Sequence, residues 1–222
     1  MSVDEVYRLV RFILNKSQMG DLTSSEFNLI AAQSEREYLS FLLGNVEGFQ
    51  IGRQIPRVEL GMNQPLLQKL SPFIGEPSSI SVNGSGLAVI PPDFEAAVAM
   101  YTSNISKIRF VQQDAIFQWI RSVIDPIATN PCYLIQSNGF KLYPNNIGSV
   151  LLSYVRTPNF MRWGFTLDGN GLEVYDPSTS QQPEWYQVDL SQVIARILRK
   201  AGVNLKDGDV VNFAQQMQIQ GT

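Results

Sequence analysis

The sequence predicts an α+β fold: an N-terminal helical hairpin and a C-terminal helix pair packed as a bundle, with a mostly antiparallel β-rich middle. Three observations predict it. Apolar residues recur at helical spacing before residue 45 and again after residue 188. Between about residues 80 and 175 the pattern changes towards strands. Asn-Gly and related turn sequences punctuate that middle.

Residues 2–16 read as a helix. Ser2 and Glu5 have capping-box spacing, in which the hydroxyl accepts from one orphan amide and the carboxylate from another. Val6, Leu9, Val10, Ile13 and Leu14 form one apolar stripe, and Gly20 breaks the pattern. Residues 23–43 read as a second helix, where Thr23 and Glu26 repeat the capping box. Phe27, Ile30, Ala31, Ser34, Tyr38, Phe41 and Leu42 share its face, and Gly44 can supply the left-handed residue that ends it. The first predicted domain is therefore a helical hairpin, 1–45.

Residues 46–79 read as an irregular excursion. Pro56, Pro65, Pro72 and Pro77 interrupt it, with one short helical turn at 65–70. The β-rich region follows at 80–187. Strands are expected at 87–90, 96–102, 107–111, 132–136, 140–143, 149–156 and 172–175. A helix at 114–124 carries Asp114 as N-cap and Ile116, Trp119, Ile120 and Val123 on one face. Asn138-Gly139 and Asn145-Asn146-Ile147-Gly148 join the three strands from 132 to 156, which predicts an antiparallel meander. Asn83-Gly84-Ser85-Gly86 leads into a strand and reads as a hairpin loop.

The C-terminal pair, 188–222, completes the predicted bundle. Asp189 is the expected N-cap of a helix to residue 201, with Leu190, Val193, Ile194, Ile197 and Leu198 as its stripe. Arg196, Arg199 and Lys200 stand near its end, where cations favour the helix dipole, and Gly202 terminates it. Asp207 caps a last helix to residue 219, with Val210, Val211, Ala214 and Met217 facing inward.

Composition narrows the function. Charged residues are 17%, below the roughly 25% usual for a soluble domain. That suits either a subunit that hides surface against partners or a domain rich in Asn, Gln and Ser. The net charge of −3 and the lack of a Lys/Arg cluster beyond Arg196, Arg199 and Lys200 argue against tight direct nucleic-acid binding. An acidic or neutral channel lining past which DNA slides is compatible with this charge. The single cysteine, Cys132, allows no internal disulfide and no thiolate metal cluster, which fits folding in a reducing cytoplasm. The segment Ser2-Val3-Asp4-Glu5 lacks the basic region of a signal peptide, and no apolar run is long enough to span a membrane.

The chain contains no histidine. That removes histidine-activated nucleophiles and every histidine-containing metal site. Neither GxxxxGK[ST] nor GxGxxG occurs. Paired carboxylates for glycoside hydrolysis remain conceivable among Asp168, Glu173, Asp176 and Glu184, but each is more simply a turn or surface residue. Asp168-Gly169-Asn170 lacks the acidic ladder of a Ca²⁺ loop. The expectation is a protein that is not an enzyme, with no catalytic, cofactor or metal site. One group of side chains stands out as candidate partner contacts: Phe160, Met161, Trp163, Phe165, Trp185 and Tyr186. Exposed aromatics of this kind are enriched in interface cores. The other reading is that a loop crossing the sheet buries them.

The order of pieces over residues 100–222 carries a resemblance. A strand and a Pro-terminated helix lead to Asn130-Pro131-Cys132-Tyr133, then Tyr143-Pro144, then Tyr154-Val155-Arg156-Thr157-Pro158. After them come Tyr175-Asp176, Glu184-Trp185, a helix, Gly202-Val203-Asn204-Leu205 and a closing helix. This resembles the head-to-tail connector or adaptor ring proteins of short-tailed, crAss-like bacteriophages; residues 46–75 have no counterpart in it. The resemblance implies a structural virion protein of the neck or tail, made in the host cytoplasm. It implies a cyclic, often dodecameric, homo-oligomer that meets the portal protein and neighbouring tail proteins. Double-stranded DNA would pass through its channel without specific binding, and no membrane or cofactor is implied. Two other readings stand beside it: a carbohydrate-binding or adhesin-type virion module using Trp163, Trp185 and Tyr186 as stacking platforms, and a hydrolase of unrecognised type.

Overall fold

Both N-terminal capping boxes form as their spacing dictates. In the computed structural model, which describes residues 1–16, 22–44, 64–120, 126–127 and 129–204, helix α1 is Val3–Lys16 and helix α2 is Ser24–Leu42. The Glu5 amide donates to Ser2 Oγ at 3.3 Å, and the Ser2 amide donates to Glu5 Oε2 at 2.8 Å. Thr23 and Glu26 repeat the exchange at the start of α2. Gly44, with φ of 80°, follows the last turn, and its amide donates to the Phe41 carbonyl.

The buried stripe of α1 is rotated from the expected one. Val3, Val6, Tyr7, Val10 and Leu14 are buried, while Leu9 faces solvent. Tyr7 turns inward because its ring meets Phe27 at 5.0 Å and its hydroxyl donates to the Leu22 carbonyl. On α2 the expected face is buried except for Phe41, and Glu35 and Leu39 are buried as well.

The chain divides into two compact units, Met1–Phe49 with Pro158–Thr222, and Gln50–Thr157. The first holds α1, α2 and helix α5 (Gln187–Asn204), which packs against both. The expected stripe of α5, from Leu190 to Leu198, is buried. Its ends differ from expectation. The Tyr186 carbonyl already accepts the Leu190 amide, so Asp189 lies inside the first turn and is not the N-cap. Gly202 likewise lies within the helix. The closing helix expected at 207–219 and residues 46–63 of the excursion lie outside the described residues.

The second unit starts with the expected short helix, α3 (Gln64–Leu70), and a 3₁₀ turn at Ser71–Phe73. Its strands are β1 (Ser78–Ser81), β2 (Leu87–Ala88), β3 (Phe94–Thr102), β4 (Arg109–Phe110), β5 (Cys132–Gln136), β6 (Gly139–Tyr143) and β7 (Ser149–Arg156). They form a three-stranded sheet, β1-β7-β3, and a four-stranded sheet, β2-β6-β5-β4. All pairs are antiparallel except β4 with β5. Ala97, Met100 and Leu152 from one sheet and Ala88, Tyr133, Phe140 and Leu142 from the other share one core. Fully burying a side chain such as Leu152 contributes about 2 kcal/mol.

The expected meander from β5 to β7 forms only in its first half. The Asn138-Gly139 turn joins β5 to β6, but β7 belongs to the other sheet. Both edges of β6 are already occupied, by β5 and by β2, so β7 finds its hydrogen bonds on β1 and β3. Helix α4 (Ile116–Ile120) starts two residues after Asp114, which is therefore not its N-cap. Ile116 packs with Val111, Cys132 and Leu134. Residues 121–125 lie outside the described residues.

Residues 158–187, expected in the β-rich region, belong with the helices. They include a separate two-stranded hairpin, β8 (Phe165–Leu167) and β9 (Glu173–Tyr175). The molecule is thus mixed α+β with mainly antiparallel sheets. Among the described residues, no helix is long and apolar enough to cross a membrane.

Candidate assembly surface

The aromatic segment after Pro158 is held from within, because polar partners on the helices satisfy its backbone. Asn28 on α2 works like the edge of a strand: its Oδ1 accepts the Trp163 amide at 2.7 Å, and its Nδ2 donates to the Trp163 carbonyl at 3.0 Å. The Trp163 indole donates to Asp4 Oδ1 at 3.1 Å, and its ring lies 4.4 Å from Tyr7. Phe165 and Tyr175 flank it at 5.9 and 5.8 Å, which seats the β8–β9 hairpin. Met161 is buried, with its amide donating to Glu35 Oε2 at 2.7 Å. Trp185 is buried against Tyr38, with ring centres 4.9 Å apart.

This corrects half of the expected contact surface. Met161, Trp163 and Trp185 are core residues of the helical unit, because each finds its partners on α1 or α2. Phe160 and Phe165 are half-buried, and Arg36 lies over the Phe160 ring. Tyr186 is exposed. Buried indoles cannot serve as stacking platforms for a sugar, so the adhesin reading keeps only Tyr186 of its three residues.

A polar network joins α2 to α5. Tyr38 donates to Asp189 at 2.8 Å, and burial together with that bond holds the phenol well above its ordinary range. Arg196, 2% exposed, lies over the Tyr38 ring at 4.8 Å and the Phe41 ring at 5.3 Å. Burial lowers its pKa, partly offset by Glu37. Glu37 bridges Arg199 and Lys200; burial works against its charge, but those two cations bring its pKa below the usual value. Glu35 is 0% exposed. Burial pushes its carboxyl up to about 7, against the hydrogen bond from the Met161 amide and the nearby Trp185 indole, and with help from the Glu184 charge.

The remaining carboxylates hold turns. Asp168 Oδ1 accepts the Asn170 and Leu172 amides. Asp176 is held below its ordinary range, chiefly by the Ser178 hydroxyl and amide. Glu173 accepts from Ser24 Oγ at 2.7 Å, and Glu184 from Asn159. Among the described residues, no three His, Cys, Asp or Glu side chains gather to hold a metal.

The outer face of this unit is different in kind. A cleft of about 500 Å³ runs between α1 and the β8–β9 hairpin, with Tyr7, Trp163 and Tyr175 lining it beside Arg8, Phe12 and Val174. Phe12 is 66% exposed. On the hairpin Leu167, Leu172 and Val174 are also exposed. Among the described residues the hairpin pairs with no other strand. The exposure of Phe12 and Val174 at this cleft was missed, although one signal was present: Phe12 falls off the buried α1 stripe. No protein-family model matches this chain, and no curated protein matches it in sequence.

Proposed function

We propose that the chain is a structural subunit of a virion, one copy of a ring in the neck of a tailed phage that joins portal to tail and forms part of the DNA channel. The observation that carries this reading is the exposed apolar pair Phe12 and Val174, which line the α1 cleft. Water-exposed apolar side chains that line one cleft mark a contact surface for another protein. A closed ring is built from two different patches per subunit, so one such face meets a second, unlike patch on its neighbour. The low charge content and the order of pieces over residues 100–222 support the same reading. In this arrangement the helices α1, α2 and α5 form the ring wall. The β-rich unit reaches towards adjacent rings.

Quantitative mass spectrometry of purified particles tests this. A ring subunit is present at a copy number close to that of the portal protein. Absence from particles would sink the proposal.

A further inference from the structure

The sequence holds three Asn-Gly pairs, at 83–84, 138–139 and 170–171. Asparagine before glycine is open to one reaction with its own backbone. The next amide nitrogen attacks the side-chain carbonyl carbon and closes a five-membered ring, an intramolecular step that geometry can favour strongly. Glycine, with no Cβ, leaves that nitrogen unobstructed. The fold treats the three pairs differently.

Asn83 folds back over its own downstream chain. Its Oδ1 accepts the Ser85 amide at 3.0 Å and the Leu87 amide at 2.9 Å. The loop backbone is held as well: the Asn83 amide donates to the Leu87 carbonyl, and the Gly86 amide to the Asn83 carbonyl. Among the described residues the Gly84 amide donates to no acceptor, and Asn83, Gly84 and Ser85 are all exposed. Water and hydroxide therefore reach the Gly84 N–H. The other two pairs are built otherwise. Gly139 is buried in β6, where a Cβ would lie 2.3 Å from the Ala88 carbonyl oxygen, so its peptide has no room to turn. The Gly171 amide is already engaged, donating to the Asp168 carbonyl at 3.0 Å. At Asn170 the bond to Asp168 Oδ1 is made by the backbone amide, and the side chain has no part in it.

We propose that Asn83 is a site of self-modification, the one Asn-Gly pair of the three that the folded protein selectively converts to aspartate and isoaspartate. Hydroxide removes the Gly84 amide proton, and the nitrogen attacks Asn83 Cγ. The N–Cγ bond forms as the carbonyl electron pair moves onto Oδ1. The Ser85 and Leu87 amides already point at that oxygen, and they hold the oxyanion more strongly than the neutral carbonyl. Collapse re-forms the carbonyl and breaks the Cγ–Nδ2 bond; Nδ2 takes a proton from water and leaves as ammonia. Water then opens the succinimide at either carbonyl, which gives aspartate or isoaspartate at 83. A neutral side chain becomes a carboxylate.

Incubating the full chain at mildly alkaline pH, folded and in urea side by side, tests the proposal. Peptide mass spectrometry follows the three pairs through the exchange of an amino group for a hydroxyl, and fragmentation separates isoaspartate from aspartate. In the folded protein Asn83 converts about tenfold faster than Asn138 or Asn170, a factor set by two donors that act in contact with water. In urea the three rates converge, because the donors are no longer in place. Gly84→Ala has open space for its methyl group, so it folds. It slows conversion of Asn83 about tenfold or more by crowding the nucleophile. The proposal is overturned if Asn83 converts in the folded protein no faster than the other two. It is also overturned if the same preference persists in urea, or if Gly84→Ala converts at the wild-type rate.

Discussion

Replacing Glu35 by Gln should abolish a pH dependence of stability that one side chain creates. In the folded protein the Glu35 carboxyl titrates at about 7, because no water reaches it and the Met161 amide and Trp185 indole only partly compensate. In the unfolded chain it titrates near 4.5. Between these values the unfolded chain has released the proton and the folded protein has kept it. The stabilising contribution is therefore complete below pH 4.5, falls as pH rises through the window, and is gone above about 7. A difference of this size is worth about 3 kcal/mol. The window is unusually clean, since the chain has no histidine to titrate in it. Urea unfolding from pH 4.5 to 8, followed by tryptophan fluorescence, measures it. Wild type loses about 3 kcal/mol across the range, while Glu35→Gln stays nearly flat and is the more stable of the two at pH 8. The reasoning fails if wild-type stability is level from pH 5 to 7.5, or if the Gln variant keeps the wild-type slope.

Arg196→Lys should cost about 2 kcal/mol in thermal or urea unfolding, because an ammonium cannot spread flat over Tyr38 and Phe41; Arg196→Met, which keeps the packing without the buried charge, should cost less. Gly139→Ala should lower stability by at least about 2 kcal/mol, since φ is 148° and a Cβ would lie 2.3 Å from the Ala88 carbonyl oxygen, whereas Gly169→Ala, with open space around it, serves as the near-neutral control. Tyr38→Phe should cost about 1–3 kcal/mol by removing the phenol's hydrogen bond to the buried Asp189 carboxylate, read from the urea midpoint.

The features legible in the sequence are those decided within a few residues. Ser2/Glu5 and Thr23/Glu26 cap their helices because the groups that satisfy one another stand three positions apart. Asn138-Gly139 folds its hairpin for the same local reason. What the sequence hides is settled by distant partners. The pairing of β7 depends on β2 having claimed the free edge of β6, a contact between residues more than fifty positions apart. The fate of Trp163 turns on Asp4 and Asn28, 159 and 135 positions away. Glu35 reads as an ordinary polar position until Met161 and Trp185 close over it.

A reconstruction of the neck of the particle bears most directly on the assembly role. A ring subunit lies there in a cyclic layer next to the portal, with Phe12 and Val174 covered by a neighbouring copy. A neck with no density for this chain, or a ring in which those two side chains face water, would contradict it.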